Sequence, residues 1–424
     1  MQELVPKMKA VLFSIGTRGD IEPFLAIAQL LKAKNWEVIC VFPEQFREMV
    51  EGMGLPFRGF SREFLNLLDG KEAQMIMSGQ GSIVKRMGYL MKMARAGMKL
   101  SKGILALQHK IQEEEKPDRI LYHPKCNYSL LWGMANPGKS ILFSPIPGVA
   151  HPIKHLTVAG NYGRTLNLLS VWLGNVMKSV MLKKYSKRYR RDYPGLKITV
   201  SSIKRAMLKK ERTFYAISSA LFPKPEYWPS CAHVVGYHER DKTLGWQPDQ
   251  ALLDFLDRHR KVIFITFGSM TNLDPKEKTA IVIDVLQKNG IAAIVNTSWG
   301  GLEQTEEFPD HVYFVGNVPY DWIFPRVYAI IHHGGSGTTH TALKYSCPSL
   351  IIPHILDQYF WNRINLKLNL GPKGLSIKKF NRIDFENGLL DLMNNESYRK
   401  NVQLISERMG TESNKEKLYD LIVS

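Results

Sequence analysis

The chain has 424 residues but only four cysteines, Cys40, Cys126, Cys231 and Cys347, and no C-x-x-C pair. That scarcity excludes a disulfide-built fold and a cysteine-rich zinc module, and it suits reduced thiols in a cytoplasmic protein. Long apolar runs are missing too. None approaches the roughly 20 residues that a membrane-spanning helix needs. The start, MQELVPKMKAVLFS, has no apolar stretch before a small-residue cleavage site, so a cytoplasmic location is expected. There is no low-complexity tract, and 44% hydrophobic with 23% charged residues is the balance of a folded globular protein. Histidine does not occur before His109, and no D-x-D carboxylate pair is present to clamp a metal. Acidic residues are short in supply: 39 Asp and Glu face 57 Lys and Arg, leaving a net charge of +18.

Such a basic surface attracts nucleic acid, anionic lipid or an acidic substrate. The charge is concentrated between Lys178 and Arg212, directly after Leu166 to Val176, where Leu169, Trp172, Leu173 and Val176 fall at i, i+3, i+4 and i+7 of a helix. Two readings fit this amphipathic element: a packed helix followed by a solvated basic loop, or a helix lying on an anionic membrane surface. Nucleic acid is not an expected partner, because no nucleic-acid-binding module accompanies the charge.

The length exceeds the 250 to 300 residues or so at which one core stops growing, which predicts two domains. Lys9 to Ile15 reads as a strand ending at Gly16. Ile21 to Leu31 then reads as a helix with Pro23 inside its first turn, and Glu37 to Phe42 as the next strand. Lys261 to Thr266 followed by Gly268 repeats the opening. Ile291 to Asn296, Val312 to Val315, Val327 to Ile331 and Ser349 to Ile352 are further strands separated by helical stretches. Between the two starts, Pro223, Pro225, Pro229 and Pro248 with Gly236 and Gly245 have linker composition. The predicted organisation is an N-terminal domain over 1–225, a linker over 226–250 and a C-terminal domain over 251–424, whose last helices can return to the first domain. Each domain is expected to be a doubly wound α/β sheet.

The segment HHGGSGTT, His332 to Thr339, follows the apolar run Val327 to Ile331, and Asp357-Gln358 lies nineteen residues after Thr338. A strand that ends in glycines and opens a helix suits a diphosphate, since the backbone can approach the anion while the helix's first N–H groups point at it.

The block HHGGSGTTHTALKYSCPSLIIPHILDQYFWNRI resembles the nucleotide-sugar signature of family-1, UDP-dependent glycosyltransferases, in their sterol and antibiotic branch. GTRGDIEPFLAIAQLLKAKNWEV (Gly16 to Val38) is similar to the opening loop and first helix of that branch, and TFGSM (Thr266 to Met270) to the start of its second domain. The resemblance implies the GT-B fold, two Rossmann-like domains facing a central cleft, with acceptor bound by the first and donor by the second. It implies an inverting, metal-independent transfer of a hexose from a UDP- or dTDP-sugar to a lipophilic hydroxyl acceptor, the nucleotide-sugar being a co-substrate and no cofactor being needed. A sugar-nucleotide epimerase, or a non-catalytic lipid-binding partner protein, would share the architecture.

Carried onto this chain, the resemblance makes Asp20 the base, at the place where many family members have a histidine with an acidic partner. An ordinary Asp, with a pKa near 3.9, suits that task only late in the reaction or when its pKa is raised. The bland alternative is that Asp20 caps the helix near Ile21. Arg18 either pairs with Asp20 or reaches the diphosphate. His123, in LYHPKC, either tunes Asp20 or the acceptor or is a core histidine. On the donor side the resemblance points to Gly16, Thr17, Ser269, His333, Gly335, Ser336, Gly337 and Thr338 around the phosphates. It points to Asp357 and Gln358 at the sugar hydroxyls with Trp361 beneath, and to the Val318 backbone at the base, flanked by Trp299 or Trp322 if these are not core. A metal held by His332 and His333 is not expected, since adjacent residues point apart. Asp384 and Glu386 read as the first turn of a late helix.

Overall fold

The computed structural model describes residues 7–60, 102–154, 163–187, 192–240, 242, 246–268, 270, 272, 274–297, 300–355, 357–412 and 414–424. The chain divides into two compact units, one reaching to Arg240 and reclaiming the end from Ser413, the other covering 241–412.

The first unit holds seven parallel strands: β1 (Lys9–Phe13), β2 (Glu37–Pro43), β3 (Phe57–Phe60), β4 (Arg119–Tyr122), β5 (Ser140–Ser144), β6 (Arg212–Tyr215) and β7 (Ala232–Val234). Their order across the sheet is β3-β2-β1-β4-β5-β6-β7. Helices cover both faces. Ala10 and Leu12 enter one apolar cluster while Val11 and Phe13 enter the other, so β1 is apolar at nearly every position. The stretch read as a linker is therefore not all linker, because Ala232–Val234 adds the edge strand β7.

Helix α1 (Arg18–Ala33) starts earlier than Ile21, with Thr17 as its N-cap. Pro23 is thus one turn inside the helix, and the i→i−4 bond it cannot make is the one to the carbonyl of Gly19. Helices α2 (Arg164–Ser186) and α3 (Val200–Lys209) take in 178–186 and 200–209 of the basic stretch, so much of it is helical, while the described residues 192–199 between them are not α-helical.

The second unit has five parallel strands: β8 (Ile263–Thr266), β9 (Ala293–Asn296), β10 (Val312–Val315), β11 (Ala329–His332) and β12 (Ser349–Ile351), ordered β10-β9-β8-β11-β12. Ile263 and Ile265 face one core and Phe264 the other, repeating the logic of β1. Helix α4 (Pro275–Asn289) crosses from β8 to β9, α5 (Ser336–Lys344) follows β11, and α6 (Asp357–Lys367) follows β12. The acidic pair Asp384 and Glu386 lies in the helix Arg382–Asn394, where Asn381 caps the Asp384 N–H.

The last helix, α7 (Lys415–Val423), belongs to the first unit. Leu418 and Ile422 join its core, Trp36 Nε1 donates to Tyr419 Oη (3.2 Å), and Arg119 Nε donates to the Ile422 carbonyl (3.1 Å).

Candidate functional site

In each sheet the strand order reverses direction at one place, between β1 and β4 in the first and between β8 and β11 in the second. Loops leaving the carboxyl ends of strands diverge at such a switch point and leave a crevice that takes ligands. Both crevices carry the residues singled out in the sequence.

At the first, Gly16 has φ +148°, and a Cβ there would collide with the Asp20 carboxylate, so glycine is required. Asp20 is the third residue of α1. Its Oδ2 accepts the Thr17 N–H (2.9 Å), and its carbonyl accepts from Ser14 Oγ (2.8 Å). The capping role is therefore real, and it holds the carboxylate at a helix N-terminus that favours negative charge. The loop after β4 reaches the same carboxylate: His123 Nε2 lies 3.1 Å from Oδ1, and Lys125 Nζ lies 3.1 Å from Oδ2. The Lys125 N–H donates to His123 Nδ1 (3.3 Å), which makes Nδ1 an acceptor and puts the ring proton on Nε2, facing Asp20.

Burial pushes the Asp20 carboxyl up, but Lys125 and His123 outweigh it and hold the group well below the usual carboxylate range. Its pKa is lowered, not raised. His123 is itself pushed below its ordinary value, first by burial. The imidazole is then neutral near pH 7, and Lys125 is the charge that holds Asp20 ionised. His123 is no ordinary core histidine, and only Asp20 of the two is open to a ligand, with side chains 3% and 17% exposed. Arg18 is not paired with Asp20, one of its two expected partners. It pairs along α1 with Glu22 (2.8 Å), which also takes Arg240 (2.8 Å), because four residues on one helix face bring opposite charges together.

At the second switch point the two adjacent histidines do different work. His332 is fully buried, and its Nδ1 accepts the Gly334 N–H (3.0 Å), which fixes the loop. His333 lies between two glycines: a Cβ at Gly268 would come within 2.6 Å of its Cε1, and one at Gly335 within 2.5 Å of its Nε2. Gly334 has φ +88° and would press a Cβ within 2.6 Å of Ile351. The rings of His332 and His333 lie 84° apart in plane, with centroids 6.3 Å apart. Burial lowers His332 to about 3 and His333 well below its ordinary value, so both are neutral.

Gly335 caps α5, whose first turn contains Ser336, Gly337 and Thr338 and aims its N–H groups out of the sheet edge. Asp357 and Gln358 open α6. Gln358 is buried, and its Oε1 accepts the N–H groups of His354 (2.7 Å) and Ile355 (3.0 Å). The Gln358 oxygen is thus committed to the loop, and its NH₂ is what it can offer a ligand. Trp361 is fully buried against His340, with centroids 4.9 Å apart. Four buried ring nitrogens here, His332 Nε2, His333 Nδ1, His354 Nε2 and Trp361 Nε1, have no hydrogen-bond partner among the described residues. Val318 is buried after β10. Trp322 packs on Trp246 (4.9 Å) and under Arg326 (4.3 Å), which makes it a packing residue. Ser269 and Trp299 lie outside the described residues. Among the described residues no group of three His, Cys, Asp or Glu side chains is close enough to hold a metal.

Lys125 and His354 escaped the sequence reading. Each lies three residues beyond the end of a strand, β4 and β12, and their position at a carboxyl end was the available signal.

Residues 10–121 match the glycosyltransferase family 28 N-terminal domain, and residues 281–418 match the C-terminal domain of erythromycin biosynthesis protein CIII-like proteins. The sterol 3-beta-glucosyltransferase UGT80A2 of Arabidopsis thaliana is 28% identical over 437 residues, taking in 97% of this chain and 64% of the plant protein. The chain thus spans under two thirds of that relative's length. The glycotransferase of kitacinnamycin superposes with a TM-score of 0.72 at 16% identity, covering 98% of both chains. The spinosyn rhamnosyltransferase SpnG complexed with thymidine diphosphate does so with a TM-score of 0.63 at 13% identity, covering 99% of this chain and 100% of the other. These likenesses agree on the fold, two Rossmann-like domains of the GT-B kind.

Proposed function

From the premise that this chain carries both domains of a family-1-like glycosyltransferase of GT-B fold, we propose that it transfers a hexose from a UDP- or dTDP-sugar to the hydroxyl of a lipophilic acceptor. The observation that carries the reading is the pairing of chemistries at the two switch points: a carboxylate open to ligand at the first, and a glycine-lined helix N-terminus with a neutral histidine at the second. Asp20 takes the acceptor proton as the acceptor oxygen bonds to the anomeric carbon and the bond from that carbon to the diphosphate breaks. The diphosphate leaves with the electron pair. A single displacement with one base inverts the anomeric carbon. The first turn of α5 and the His333 ring stabilise the departing charge, so no metal is called for. The sterol and antibiotic relatives support a lipophilic acceptor, and the thymidine diphosphate complex supports a nucleoside-diphosphate donor.

A carboxylate held so far below its ordinary range accepts a proton only late, when the acceptor oxygen is already losing it to bond formation. Displacement of Lys125 from Oδ2 by the entering hydroxyl would restore part of its basicity. His123 and Lys125 are therefore positioning residues for Asp20.

The test is calorimetric titration with UDP, dTDP and GDP in EDTA, followed by release of nucleotide from the matching sugar donor with and without sterol and glycolipid acceptors. Saturable binding of UDP or dTDP with acceptor-dependent release is expected. No binding of any of the three would overturn the reading.

A further inference from the structure

Helix α2 is amphipathic the wrong way round for a helix that packs by its apolar side. Its buried face is Asn167, Asn175, Ser179, Leu182 and Ser186. Asn175 Nδ2 donates to the Ala150 carbonyl (3.0 Å), and Asn167 Nδ2 to the Lys154 carbonyl (3.3 Å), so the polar side is tied to the domain by hydrogen bonds. The opposite face presents Leu166, Leu169, Trp172, Leu173, Met177 and Val180, each between 50% and 65% exposed. These six are half of the twelve large hydrophobic side chains that stand exposed among the described residues. Positions 166, 169, 173, 177 and 180 advance by three and four, one continuous stripe about 21 Å long. A stripe of this size on a domain surface marks an interaction site.

Its surroundings say what it meets. From Arg164 to Lys210 the chain has thirteen Lys and Arg and a single acidic residue, Asp192. Lys183, Lys184 and Lys187 are exposed at the end of α2, and Arg205 and Lys209 on α3. Lys204 places its Nζ 5.8 Å from the centre of the Trp172 ring, so positive charge borders the apolar stripe. A second copy would bring two arrays of like charge together. Nucleic acid has no use for a leucine and methionine stripe. An anionic bilayer surface answers both features, with apolar side chains in the acyl boundary, tryptophan at the interface and lysines reaching the headgroups. No helix among the described residues is long and apolar enough to cross a membrane, so the fit is to lying in the interface.

We propose that the outward face of α2, with the basic residues of α2 and α3 beside it, docks this chain on an anionic membrane surface. The proposal does not rest on the transfer reading.

The test uses the full chain with phosphatidylcholine vesicles that contain or lack phosphatidylglycerol. Co-sedimentation with the anionic vesicles at low salt is expected, about tenfold weaker with phosphatidylcholine alone. Brominated lipid should quench the tryptophan emission of the wild type more than that of Trp172→Phe. The triple variant Leu169→Gln, Leu173→Gln, Met177→Gln changes only exposed positions. It should keep its melting temperature and UDP binding while losing at least about tenfold in vesicle binding. Three results would overturn docking by this face: no binding of wild type to anionic vesicles, binding that salt abolishes but the triple variant leaves intact, or a dimer that the triple variant breaks without any vesicle binding.

Discussion

The Nε2 atom of His123 stands 3.1 Å from Oδ1 of Asp20, although 103 positions separate them in the chain. The contact exists because β1 and β4 are neighbours in the sheet, so the loops leaving their carboxyl ends arrive at one place. Many of the glycosyltransferases that the sequence resembles carry a histidine with an acidic partner at this place. Here the two chemical types have exchanged places: the carboxylate faces outward, and the imidazole, its tautomer fixed by the Lys125 N–H, stands behind.

Asp20→Asn keeps an oxygen to accept the Thr17 N–H and so keeps the start of α1, but it cannot take a proton. Transfer should fall by about 10² to 10⁴ fold, the range of a lost general base, with UDP affinity unchanged. Steady-state rates and calorimetry on the same preparation check this. Retained turnover would leave Asp20 only its capping role.

Lys125→Met removes the charge that holds Asp20 ionised, so the carboxyl pKa should move up from its depressed value. A base works when deprotonated, and the acidic limb of the kcat/KM profile should therefore move to higher pH. A pH profile of variant and wild type measures the shift, and a merely structural Lys125 would leave the limb where it is.

Much of this was legible because the physics is local. Strand β1, fully apolar apart from Lys9, announces a sheet buried on both faces, and HHGGSGTT at the end of β11 announces a glycine turn into a helix, since glycine and helix start are both read along the chain. Cross-chain matters were hidden. Arg18 shows Asp20 two residues away in sequence, yet Glu22 is the residue on its helix face. Lys125 has no mark beyond its place after a strand until β4 is laid beside β1. Pro23 normally signals a first turn and so points to a later start of α1, whereas here it lies one turn further in.

The two adjacent histidines separate cleanly. His332→Ala removes the acceptor for the Gly334 N–H inside a full core and should lower stability by roughly 1 to 3 kcal/mol. His333→Asn should leave the melting temperature nearly unchanged and weaken UDP binding by about tenfold or more, as for a lost hydrogen bond to a charged group. Thermal melts and calorimetry on both variants check the division. Equal loss of UDP binding without destabilisation in His332→Ala would contradict it.

Glu211 gives the fold a pH dependence away from the candidate site. Burial raises its carboxyl from 4.5 to about 8, against hydrogen bonds from Ser140 Oγ (2.8 Å) and Tyr122 Oη (2.9 Å). The native state therefore keeps a proton that the unfolded state loses above 4.5. The stability this proton contributes is complete below 4.5 and declines as pH rises toward 8, by at most about 1.4 kcal/mol per pH unit. Glu211→Gln mimics the neutral carboxyl and should flatten that decline. Melting temperatures of both proteins across the interval from pH 5 to 8, or about that range, should converge at the acid end and separate at the alkaline end.

Gln358 offers the sharpest separation of scaffold from chemistry. Its Oε1 accepts two backbone N–H groups, from His354 and Ile355, and these set the loop between β12 and α6. Gln358→Ala would remove that anchor together with any contact to sugar, so a loss of activity would be uninterpretable. Gln358→Glu keeps the acceptor, and as a carboxylate it is at least as good a partner for two N–H donors near a helix start. What it loses is the NH₂, the only part of the side chain left to donate to a sugar hydroxyl. The variant should melt within a few degrees of wild type and bind UDP equally well, while the KM for the intact sugar donor rises. A one-bond loss corresponds to roughly tenfold. If UDP affinity fell along with donor affinity, the side chain would be acting on the diphosphate or the loop. Loss confined to the sugar-bearing donor assigns Gln358 to the sugar.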